Sequence, residues 1–342
     1  MASAVHLVGS VGLEDVDVVF DTTSKVLGGL LARIPDGEPG GRRLWISWQY
    51  PVLRANPFLK VDTGNLQKAS AGLPKLRLAD GVSPEQLAFG ELGYAREART
   101  SYQDFLRART AGKISSNTRF QVCLPTPLAV IDAFCAKDAV LQIEPPYEAA
   151  MRKEVAKICA EIPHEDLCIQ WDLCIEMILW DGRSTFYSQV VDKAGIIERA
   201  GRLCRDLPAN VELGFHLCYG DFEGKHFIEP LDGESMVSLG NELVKHAGHK
   251  VAYIHMPVPI ARNDDAFFAP FKSLAFPADC QLYLGLVHAA DGTEGSLKRA
   301  SAAKKVISQF GIATECGLGR AKTPADVRKL LDLHAEVARL IP

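Results

Sequence analysis

Alternation is the feature that most constrains the fold. Eight short runs rich in Val, Ile, Leu and aromatic residues recur along the 342-residue chain. They are Val5–Val11, Leu44–Trp48, Phe120–Pro125, Leu167–Cys174, Val211–Tyr219, Val251–Pro257, Leu282–His288 and Gly311–Cys316. Most are followed by stretches with apolar residues at i, i+3, i+4 spacing: Pro146–Ile162, Lys193–Asp206, Glu234–His246, Gly295–Phe310 and Pro324–Ile341. Thr323 before Pro324 reads as an N-cap with proline at the first helical position. Eight such units favour a parallel sheet closed on itself. The expectation is an α/β fold, a (β/α)8 TIM barrel, as one domain over residues 1–342. A doubly wound sheet is the alternative. Roughly 70 residues separate the second and third runs, and they read as a large insertion after the second strand. Ile34-Pro35-Asp36-Gly37-Glu38 reads as a solvated turn before that strand.

Composition narrows the function classes. With 47% hydrophobic and 23% charged residues, the chain can bury a large core without a disulfide. Net charge is −4 and no Lys/Arg run occurs, so no nucleic-acid partner is expected. No run of 18 apolar residues occurs, so no membrane span is expected. The first ten residues lack a basic start, and the nine cysteines are scattered through apolar runs. Both features lead to the expectation of reduced thiols and a cytoplasmic location.

In a barrel of this kind, reactive groups sit where the strands end. Here those ends carry Ser10, Thr126, Asp172, His216, Cys218, His255, His288, Glu315 and Cys316. His216 and Cys218, two apart on one strand, point the same way and can offer an imidazole and a thiolate to one ion. The alternative is a core histidine beside a buried cysteine acting as a small hydrophobe. His255 and Cys316, at the ends of the sixth and eighth runs, complete a two-imidazole, two-thiolate set of the kind that binds Zn2+ tetrahedrally. His288 is a candidate proton shuttle, and Asp172 a buried carboxylate in need of a partner. Gly317-Leu318-Gly319-Arg320 could cradle an anion but lacks the dinucleotide-binding spacing.

These residues resemble the catalytic C-terminal domain of cobalamin-independent methionine synthase, in the superfamily that also holds uroporphyrinogen decarboxylase. His216-Leu217-Cys218-Tyr219 is similar to the family's H-x-C-Y, and Glu315-Cys316-Gly317-Leu318 to its D-C-G-L. Ile169-Gln170-Trp171-Asp172 is similar to I-Q-x-D, and Leu286-Val287-His288 to the segment ending in an active-site histidine. The resemblance implies zinc held by His216, Cys218 and Cys316. His255 stands where the family has a glutamate ligand, and Leu173 also replaces a glutamate. An imidazole in place of the family's carboxylate would leave the centre neutral where the family's carries a net negative charge, and would make the zinc a stronger Lewis acid.

The resemblance therefore implies a zinc-dependent methyl or alkyl transferase acting on a small molecule, a thiol, by a reaction other than homocysteine methylation. In this role His288 and Asp172 are catalytic, and Ser10, Thr126 and Glu315 bind substrate. The folate-associated half of the long synthases is not in this sequence, so the donor is expected to differ or to arrive on a partner protein. Three alternatives remain: a zinc hydrolase or lyase of a small carbonyl compound, a structural zinc module, and a metal-free decarboxylase.

Overall fold

The computed structural model describes residues 3–64, 72–184, 191–220, 225–319 and 322–341. Its centre is a curled sheet of seven parallel strands. In sheet order these are β1 (Arg33–Pro35), β4 (Arg119–Pro125), β5 (Leu167–Leu173), β6 (Glu212–Leu217), β7 (Val251–Pro257), β8 (Gln281–Gly285) and β9 (Gly311–Ile312). The strands are almost wholly buried, which is why they read as continuous apolar runs and do not alternate. The segment Val5–Val11 touches both edges of the sheet. Val5 bridges in parallel to Leu31, two residues before β1, and to Ile312 in β9. Ser10 and Val11 do the same further along, to Gly37 and Leu318.

Helices connect consecutive strands, as the crossovers of a parallel sheet require. The expected helical stretches are observed as Val140–Glu161, Lys193–Cys204, Glu234–His246, Gly292–Lys304 and Pro324–Leu340. Thr323 does cap the last one: its hydroxyl accepts from the Asp326 amide, and the Asp326 carboxylate accepts from the Thr323 amide.

One expected strand is corrected. Leu44–Trp48 is not in the sheet; it lies in and between two 3-10 turns, Gly40–Leu44 and Ser47–Gln49, with Trp45 at φ +56. Its branched and aromatic side chains pack on the core from outside the sheet, with Ile46 buried and Trp45 and Trp48 partly so. The sheet position belongs to β1, whose Arg33-Ile34-Pro35 has too little pattern to mark a strand. Nor is the turn after it solvated. Asp36 is buried, paired with Arg42 at 2.7 Å and accepting from Ser101 at 2.7 Å. Between β1 and β4 lie an antiparallel pair, β2 (Leu59–Val61) with β3 (Leu76–Leu78), and the helix Tyr94–Thr110. Glu154 binds the start of that helix through the amides of Leu92 and Ala95.

Candidate active site

Sheet register puts three of the expected residues side by side. Asp172 on β5 is opposite His216 on β6, and His216 is opposite His255 on β7. Beyond His216 the ladder continues, because the Cys218 amide donates to Leu173 O at 3.1 Å. The Cys218 side chain therefore emerges on the His216 side. Cys316 comes from the turn after β9, where Thr314 Oγ1 donates to the Cys316 carbonyl at 2.7 Å.

His216, Cys218 and Cys316 each offer one ligand atom, and these atoms all lie within 4.8 Å of one another. The two sulfurs are 3.9 Å apart. His216 Nε2 is buried and has no hydrogen-bond partner among the described residues. An orphaned buried nitrogen beside two thiols suits a soft divalent cation, since an ion would satisfy the lone pair that nothing else does. Burial first, then the His255 and His6 rings, hold the His216 pKa well below its ordinary value. The imidazole is thus neutral and fit to coordinate.

His255, expected as the fourth ligand, sits behind His216. Its Nδ1 is 2.7 Å from His216 Nδ1, and its Nε2 is 3.0 Å from the Thr314 carbonyl. Both of its ring nitrogens are therefore engaged. Burial lowers its pKa to about 3.

The remaining expected residues occupy distinct places. Asp172 accepts from Gln170 Nε2 at 2.8 Å. His288 Nε2 donates to Val258 O at 2.8 Å, and its Nδ1 is 3.4 Å from Glu315 Oε2. Burial first, then Arg299, lowers the His288 pKa to about 4. Ser10 holds the loop after Cys316: its hydroxyl accepts from the Gly319 amide at 3.1 Å and its carbonyl from the Leu318 amide. Arg320, at the end of that glycine-rich loop, lies outside the described residues. Thr126 caps the helix Pro127–Phe134 and hydrogen-bonds Glu176, so its hydroxyl serves that helix junction.

Two residues join the site that sequence reasoning passed over. Cys174 packs against Cys218 and, ahead of burial, is the main reason that the Cys218 thiol stays well above its ordinary pKa. The signal was available: Asp172-Leu173-Cys174 repeats the spacing of His216-Leu217-Cys218 on the neighbouring strand, in register. His226 has Nε2 3.6 Å from Glu315 Oε1 and Nδ1 3.1 Å from Glu229. It lies in the aperiodic stretch between Gly220 and Ser235, of which residues 221–224 are outside the description.

Among the described residues no helix is long and apolar enough to cross a membrane. No protein-family model matches the chain, and no curated protein does. Solved structures do match. A Listeria monocytogenes protein proposed to be a vitamin-B12-independent methionine synthase superposes with TM-score 0.58 at 14% identity, over 98% of this chain and 99% of its own. A methyltransferase from Methanosarcina mazei gives TM-score 0.53 at 10% identity, over 98% and 94%. A B12-independent methionine synthase from a Shewanella species, solved in complex with selenomethionine, gives 0.51 at 16%, over 83% and 76%. At such identities the likeness is one of fold, and by fold this chain is similar to the cobalamin-independent methionine synthases.

Proposed function

We propose that this chain is a zinc-dependent methyl or alkyl transferase acting on a small thiol. Its scaffold is read as a closed (β/α)8 barrel with Val5–Val11 as the eighth staved element between β1 and β9. The observation that carries the reading is the convergence of His216, Cys218 and Cys316 at the strand ends, with a buried imidazole nitrogen that has no other partner. The fold shared with methyltransferases supports it.

His216, Cys218 and Cys316 would hold the ion with three protein ligands and leave room for substrate, as catalytic zinc sites do. When bound, the ion supplies Lewis acidity that lowers the pKa of an entering thiol. Cys218 and Cys316 as thiolates with a neutral His216 would balance the ion's double charge, a ligand set that would leave a substrate thiolate electron-rich. The protein's own groups do the rest. His288, neutral at pH 7 with its proton on Nε2, can take a proton at Nδ1, where the Glu315 carboxylate faces it, and hand it on. Asp172, level with His216, offers a carboxylate to a cationic part of the substrate. Ser10 holds the loop that follows Cys316.

Metal analysis of protein purified without chelator tests the reading, followed by thiol alkylation assays with a panel of small thiols and methyl donors. About one zinc per chain and thiol-dependent alkyl transfer are expected. Protein free of transition metal, with no affinity for added Zn2+, would rule it out.

A further inference from the structure

We infer that His255 is a positioning residue for the metal centre and not one of its ligands: it fixes the tautomer of His216. The inference rests on the zinc reading above and assigns its second imidazole a different task. Thr314 O can only accept, so His255 Nε2 carries the proton of that 3.0 Å bond. A second proton would place a cation on a fully buried ring, which is costly. His255 Nδ1 is therefore an acceptor. The 2.7 Å contact between the two Nδ1 atoms then requires His216 to be the donor. A neutral His216 protonated at Nδ1 has its lone pair on Nε2, the nitrogen left without a partner among the described residues. The relay from Thr314 through His255 thus prepares His216 to bind an ion before any ion arrives.

The surroundings are built for this pose. A Cβ at Gly285 would meet His255 Nε2 at 2.9 Å and the Glu315 backbone at 2.8 Å, so only glycine at the end of β8 lets the ring reach the Thr314 carbonyl. Turning His255 toward the ion would give up both of its hydrogen bonds, and would leave His216 Nδ1 as a buried donor without its acceptor.

Three measurements on the full chain decide the matter. Nitrogen-15 NMR of metal-free protein should find His216 protonated at Nδ1 and His255 at Nε2. Zinc-edge X-ray absorption of the zinc-loaded protein should show one imidazole, not two. Competition with a chromophoric chelator should show zinc bound about 10–100-fold more weakly by His255→Ala. His255→Gln, whose amide can accept from His216 and donate to Thr314, should recover most of that loss. Two imidazoles on the ion, or a His216 protonated at Nε2, would overturn the inference while leaving the zinc reading intact. So would a His255→Ala variant with undiminished affinity. Failure to take up zinc defeats the zinc reading instead, and the tautomer measurement still decides the His255 relay. It also decides the matter if His255→Ala does not fold.

Discussion

The ring of Tyr253 on β7 occupies the space that a side chain on Gly214 of β6 would need. The two are paired in register just after a bulge that leaves Ala252 unmatched, and the bulge aims the ring across the neighbouring strand. The Tyr253 hydroxyl donates to Gln170 at 2.9 Å, and the Arg33 guanidinium lies 4.4 Å from its ring centre. Gly214→Ala must displace this ring and its partners. Overpacking on this scale costs about 1–3 kcal/mol, so a lower denaturation midpoint is expected. A variant with the wild-type midpoint would show that Tyr253 has room to move.

Cys218→Ser and Cys316→Ser should each lower zinc affinity by more than the roughly 10–100-fold typical of residues that merely support a ligand. Cys174→Ser, which alters a neighbour of Cys218, should fall within that range. Chelator competition on the three purified variants gives the ranking. Equal losses in all three would place Cys174 among the ligands.

His288→Gln keeps a polar side chain but removes the titratable nitrogen that faces Glu315. Turnover is expected to drop by about 10²–10⁴-fold, the usual worth of a positioned acid or base, with zinc content unchanged. If turnover survives, the proton moves by another route.

Glu176 yields a pH-dependent stability. Burial raises its pKa to about 7, against a donated hydrogen bond from Thr126 that lowers it. Its folded pKa lies above the unfolded value near 4.5. The folded state therefore holds the extra proton between those two values. The associated stability is fully present below about 4.5, declines as pH rises toward 7 and is gone above that. Glu176→Gln should match the wild type near pH 4 and exceed it at pH 8, by about 3 kcal/mol at most. Parallel denaturant titrations at the two values check this. A constant offset between the proteins at both pH values would mean that packing, not ionisation, separates them.

How much of this was legible in the sequence follows from what each residue needs from its neighbours. Buried parallel strands advertise themselves as unbroken apolar runs, so Val251–Pro257 matched β7 to the residue. The three residues of β1, with an arginine and a proline, carry no such mark. Leu44–Trp48 has strand-like composition but is bent into 3-10 turns, because pattern reports hydrophobicity and not hydrogen bonding. That His216, Cys218 and Cys316 come together was legible because parallel strands all end on the same side of their sheet. The level of His255 in the sheet could be read, but not its hydrogen bonds, since spacing leaves open which ring nitrogen meets which atom. His226 lies where no periodicity exists to place it.

Cys218 and Cys316 meet sulfur to sulfur although 98 positions separate them in the chain. An ion shared by the pair would close that whole stretch, with β7, β8 and β9 inside it, into a loop. If it constrained the unfolded chain as a disulfide does, a cross-link of this span would take about 4–5 kcal/mol of conformational freedom from the denatured state. The centre proposed to activate a thiol would thereby also serve as a staple for the second half of the sheet. Depleting the metal would loosen that half as well as silence the chemistry.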